Sequence, residues 1–154
     1  MTATDTTEPD LRIAGLRLWV EAREQPESQD YWDGNWLRVR AHCAGEHSEV
    51  RAAGPLVHLS EVATLKSGCE KLLAGTVAEA GLYCAEPNLK LELWAAPGGG
   101  VVGKVRITPD HRAEIHDYGF ACDLDGVARL VAACERLLGR YPLRGKGARA
   151  AEEA

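Results

Sequence analysis

Residues 29–43 read Gln-Asp-Tyr-Trp-Asp-Gly-Asn-Trp-Leu-Arg-Val-Arg-Ala-His-Cys. Asp33-Gly34 is a strong hairpin signal, because a two-residue type I′ turn needs positive φ at both central positions. With those two residues as the loop, Trp32 faces Asn35 and Tyr31 faces Trp36. From Asn35 onward the side chains alternate. Asn35, Leu37, Val39, Ala41 and Cys43 share one face, apolar after Asn35, and Trp36, Arg38, Arg40 and His42 share the other. The stretch therefore predicts a hairpin held by a Tyr31–Trp36 cross-strand pair, worth roughly 0.2–1 kcal/mol. Two arginines sit beside that pair.

On the N-terminal side, Leu11 and Ile13 alternate, the phase slips at Ala14-Gly15, and Leu16, Leu18, Val20 and Ala22 alternate again. Arg17, Trp19, Glu21 and Arg23 lie opposite, giving a strand interrupted at Gly15. Residues 24–30, Glu-Gln-Pro-Glu-Ser-Gln-Asp, form a polar loop. Beyond Cys43, Gly45–His47 makes a turn and residues 48–53 a short partner strand. Pro55–Leu59 leads into a first helix over about 60–74, with Ser60 as N-cap and Val62, Leu65, Cys69, Leu72 and Leu73 as its apolar stripe.

The pattern returns to strands at 77–85, 89–95, 101–107 and 112–122, separated by turns such as Pro97-Gly-Gly-Gly100 and Pro109-Asp110. Asp123 caps a second helix over about 124–138, whose face carries Leu124, Val127, Leu130, Val131, Cys134, Leu137 and Leu138; Gly139 is expected to end it. The expected fold is α+β: one curved, mainly antiparallel sheet of about 6–7 strands with both helices packed on it. Residues 11–142 form the single domain. Residues 1–10 and 143–154 are read as disordered tails.

The 154 residues carry 18 Lys and Arg against 23 Asp and Glu, a net charge of −5. Residues 1–77 hold 12 acids and 8 bases, residues 78–154 hold 11 and 10, so the acidity lies in the first half. That argues against nucleic acid as a partner, which calls for a basic patch. No run approaches a membrane span, and the polar, acidic start does not resemble a signal peptide. The five cysteines, at 43, 69, 84, 122 and 134, form no CxxC and fall on apolar positions, as buried reduced thiols of a cytoplasmic protein do.

Candidate chemistry is sparse. His111 and His116 with Asp110 and Asp117 suggest a metal cluster only weakly, because five-residue spacing puts the histidines on opposite strand faces. The glycines at 98–100 join two strands, so they do not open a helix as a phosphate cradle does. There is no GxSxG, and a cysteine on an apolar face is a poor thiolate. The carboxylates Asp30 and Asp33 read first as turn formers. No cofactor and no metal is expected.

Asp30, Asp33, Asn35, Trp36 and Leu37, in the order Asp-x-x-Asp-x-Asn-Trp-Leu, resemble the signature of WapI-family bacterial immunity proteins. The layout is similar too: an N-terminal β region, a middle helix, a β meander and a terminal helix. The resemblance implies a non-catalytic protein that binds and neutralises the toxic C-terminal domain of a polymorphic, contact-dependent toxin. In the namesake system that domain cleaves tRNA, but the family's toxin domains vary. Residues 24–36 form an acidic and aromatic stretch whose acids have no base between them, so Glu24, Glu27, Asp30, Tyr31, Trp32, Asp33 and Trp36 are read as the partner-binding residues, while Asn35 and Leu37, on the buried face, are structural. Two other readings remain: a generic protein-interaction subunit, and a small-molecule binder or enzyme using a pocket on the sheet. The faces of Trp19, Trp94 and Trp36 could equally serve a homodimer contact.

Overall fold

The computed structural model describes residues 7–145. Strands β1 (Leu11–Ile13), β2 (Leu16–Arg23), β3 (Trp36–Ala44) and β4 (Glu49–His58) form one antiparallel sheet in that order. Helix α1 (Leu59–Leu73) follows without a loop. Strands β5 (Glu79–Tyr83), β6 (Leu89–Ala95), β7 (Val101–Ile107) and β8 (Asp117–Cys122) form a second antiparallel meander, and helix α2 (Leu124–Arg140) closes the fold. The α+β class holds, but the single sheet of 6–7 strands is replaced by two four-stranded sheets. The hydrophobic pattern marks strands, whereas the pairing of each with its chain neighbour is satisfied within each half, and α1 separates the halves. No ladder joins β4 to β5.

One apolar core nevertheless spans both sheets. Helix α1 packs on β5, β4 and α2, while α2 packs on β1 and β4 approaches β7. At Gly68 α1 comes close to β5: a Cβ there would lie 3.1 Å from the Ala80 Cβ. Leu37, Val39, Ala41 and Cys43 are buried and Arg38 and Arg40 exposed, as the alternation of β3 requires.

Two bulges change which side chains face inward. In β2, Val20 pairs with Val39 but Ala22 pairs with Arg38, so Glu21 is the extra residue and Arg23, opposite Leu37, turns into the protein. In β4, Leu37 pairs with Val57 and Val39 with Gly54, leaving Pro55 and Leu56 opposite Arg38. The strand thus continues through the Gly-Pro expected to end it. A bulge is where a sheet tolerates proline, and Gly54 supplies the φ of +139°.

Other boundaries also moved. The segment before β8 is a turn in which the Ala113 and Glu114 amides donate to the Asp110 carbonyl, so Ile115 is exposed rather than a strand residue. Helix α2 runs past Gly139 to Arg140, and Pro142 stops it. Trp19 is buried, not displayed: its indole N–H donates to the Thr7 carbonyl and Arg40 lies 5.2 Å above its ring. Of the expected tails, residues 1–6 and 146–154 lie outside the described residues.

Candidate functional site

The connection between β2 and β3 is twelve residues long, 24–35, and Asp33-Gly34 is not a type I′ turn. Asp33–Asn35 forms one 3-10 turn, Gly34 does not have positive φ, and Tyr31 is not in a strand opposite Trp36. Gly34 is required for a different reason: a Cβ there would come within 2.5 Å of the Ser28 carbonyl oxygen. The Asp30 carboxylate starts the turn by accepting from the Trp32 and Asp33 amides at 3.0 and 2.9 Å, the Asx arrangement that pre-forms such a turn.

The loop closes over the end of β4, where Trp36 pairs with His58 on the side of the sheet away from the core. His58 is surrounded by rings. Trp32 stacks on it at 5.1 Å and 25°, Trp36 meets it edge-on at 5.1 Å and Tyr31 at 5.5 Å, and Trp32 and Trp36 are perpendicular at 5.2 Å. The imidazole is 1% exposed while Trp32 is 54% exposed. Trp32 thus has one face on the protein and the rest of its ring in solvent.

His58, rather than Ser60, is the N-cap of α1. Its Nδ1 accepts from the Ser60 amide, and Glu61 returns a carboxylate oxygen to the His58 amide at 2.8 Å, completing a capping box. An amide can only donate, so Nδ1 carries no proton. Nε2–H therefore donates to the Tyr31 and Trp32 carbonyls at 3.2 and 3.1 Å. Burial holds the imidazole below its usual pKa, against the pull of those two carbonyls. Ser60 Oγ lies 2.7 Å from Nδ1, a nucleophile–base distance, but this nitrogen already serves the helix cap. Glu61 Oε2 also accepts from the Ala85 amide, and burial raises its pKa.

The acids divide into two kinds. Glu24 is taken by Arg38 in a two-pronged pair at 2.9 and 3.0 Å, and Asp30 is taken by the turn. Glu27 and Asp33 are exposed, and no described residue bonds to either carboxylate. From below, Arg23 donates to the Gly34 carbonyl and Asn35 Oδ1 and to the Pro142 carbonyl. Asn35, fully buried, donates to the Tyr31 carbonyl at 2.6 Å. The structure therefore brings together Asp30, Tyr31, Trp32, Asp33 and Trp36, with Glu24 at the base and Glu27 on the loop. The sequence reading missed His58, because His-x-x-Glu is an uncommon capping box. It also missed Arg23, because Glu21 bulges out.

Elsewhere the signals are structural. The thiols of Cys43, Cys69 and Cys134 are pushed up by burial to about 11, 12 and 12, and that of Cys84 upward as well. Among the described residues no group of three or more His, Cys, Asp and Glu is placed to hold a metal ion, and no described helix is long and apolar enough to cross a membrane. Trp94 is half-buried on the outer face of the second sheet.

A family model described as the immunity protein WapI-like family matches residues 9–142, which include both sheets, both helices and the whole aromatic loop. No curated protein and no solved structure matches the chain.

Proposed function

Since the chain belongs to the WapI-like immunity protein family, we propose that it neutralises the toxic C-terminal domain of a polymorphic bacterial toxin by binding it through the 24–36 loop. The observation that carries the surface assignment is Trp32, a large ring exposed over half its area yet fixed by stacking on buried His58. A rigid, half-desolvated tryptophan loses little freedom on binding and contributes a large apolar area, as interface anchors do.

Glu27 and Asp33 flank this anchor in sequence with their charges uncommitted. A toxin that handles nucleic acid carries a basic phosphate-binding face, and such acids speed its capture by steering. Neutralisation by occlusion needs no catalytic group in the inhibitor. The protein acts where the toxin arrives, in the cytoplasm of the cell it protects.

Co-purification with the C-terminal domain encoded immediately upstream tests this reading. A stable complex on size exclusion, together with restored growth when both are expressed, supports it. A toxic domain that neither binds nor is neutralised contradicts it.

A further inference from the structure

The loop of residues 25–32 belongs to no strand or helix; its Gln25 and Asp30 carbonyls accept from the Ser28 and Gly34 amides, and its Tyr31 and Trp32 carbonyls from His58 Nε2. The Pro26 and Ser28 carbonyls find their donor in the residues that follow α2. Arg144 Nη1 donates to the Pro26 carbonyl at 2.6 Å and to the Ser28 carbonyl at 3.2 Å. The Arg144 amide donates to Asn35 Oδ1 at 3.0 Å, and Asn35 Nδ2 donates back to the Arg144 carbonyl at 3.0 Å. The Asn35 amide group thus pairs with one backbone unit much as a neighbouring strand would. Arg23 adds a bond to the Pro142 carbonyl. Gly145, at φ +85°, passes so close that a Cβ would lie 2.5 Å from the Tyr31 nitrogen and 2.8 Å from the Gln29 carbonyl oxygen.

We propose that residues 142–145 are a strap that presets the recognition loop for its partner, with Arg144 and Asn35 as positioning residues. The inference rests on the reading of the loop as the contact surface. Without the strap the loop samples many conformations, and apparent affinity falls by the fraction that remains competent. Arg144 is chosen for the test because charge and geometry predict opposite signs there. Removing a cation makes the loop more acidic, which by steering alone would strengthen binding to a basic partner. Loss of preorganisation weakens it.

The experiment is Arg144→Ala in the full chain. Hydrogen exchange is read over residues 28–35 against residues 37–43 of β3, and affinity is read for the C-terminal segment of the protein encoded immediately upstream. The strap predicts exchange at least about tenfold faster in the loop with β3 unchanged, and affinity about tenfold weaker. Unchanged loop exchange overturns it, as does faster exchange with affinity equal to or tighter than that of the wild type. Trp32→Ala, measured alongside, separates the two claims. If it weakens binding and Arg144→Ala does not, only the strap falls. If Trp32→Ala binds as tightly as the wild type, the contact reading falls and the strap's role in binding with it.

Discussion

Trp32 covers His58: the two rings stack at 5.1 Å, and the tryptophan is exposed while the histidine beneath it is not. The same imidazole caps α1 and holds the Tyr31 and Trp32 carbonyls. The start of a core helix and the displayed ring are therefore one unit, and disturbing either is felt by the other. Trp32→Ala is expected to destabilise the fold by about 1 kcal/mol, through loss of ring contacts and entry of water at the cap. Urea unfolding measures it. Wild-type stability in the variant would mean that the stack is only incidental.

The pH dependence follows from His58. Its folded pKa lies below the unfolded value of about 6.5. The unfolded chain therefore takes up the proton first, and stability is lost as pH falls from about 6.5 through the lower folded value. Protonation also removes the Nδ1 lone pair that accepts from the Ser60 amide. Glu61 works with the opposite sign in a lower window: burial raises its folded pKa, so its penalty grows as pH rises above about 4.5. Unfolding titrations between pH 7 and pH 5 should show the decline for the wild type and its reduction in His58→Gln. In Trp32→Ala the imidazole resonance should titrate nearer its ordinary value.

How much of this was legible in the sequence depended on spacing. The faces of β3 could be read because alternation survives along an unbroken strand. The loop could not, because Asp33-Gly34 carries the same chemistry in a two-residue hairpin and in a 3-10 turn ending a twelve-residue connection. Arg23 was hidden by the bulge at Glu21, which reverses the inside–outside phase beyond it, and His58 by a strand that runs on through Gly54-Pro55 and by a capping role that histidine rarely takes. The division into two sheets was hidden for a related reason: the eight strands have similar patterns, and pattern does not state where a ladder stops. The residues proposed for contact stand out in the sequence because aromatics and acids crowd into one short stretch. Only the structure shows that Glu24 and Asp30 are already engaged while Glu27 and Asp33 are not.

That difference predicts which charges matter. Glu27→Lys with Asp33→Lys should slow association with a basic toxin domain by an order of magnitude or more, and reduce its salt dependence. Glu24→Gln combined with Arg38→Gln should change association little, because the pair carries no net charge. Stopped-flow association at two ionic strengths distinguishes them; equal rates for the double lysine variant and the wild type would remove the acids from the account.

Gly34→Ala probes the turn itself. The added methyl meets the Ser28 carbonyl oxygen at 2.5 Å, a backbone atom that cannot swing away. A stability loss of roughly 1–3 kcal/mol is expected, the range for overpacking a closed site. Thermal unfolding reads it, and a neutral result would mean that the Ser28 carbonyl does not close on Gly34.

The most direct measurement compares two exposed aromatics by calorimetric titration with the C-terminal segment of the protein encoded immediately upstream. Trp32 lies on the loop, and Tyr83, 46% exposed, lies on the outer face of the second sheet. Trp32→Ala is expected to weaken binding by about 2 kcal/mol or more, the scale of an interface anchor, while Tyr83→Ala binds as the wild type does. Full affinity in Trp32→Ala with loss in Tyr83→Ala would contradict the account and move the contact surface to the other sheet.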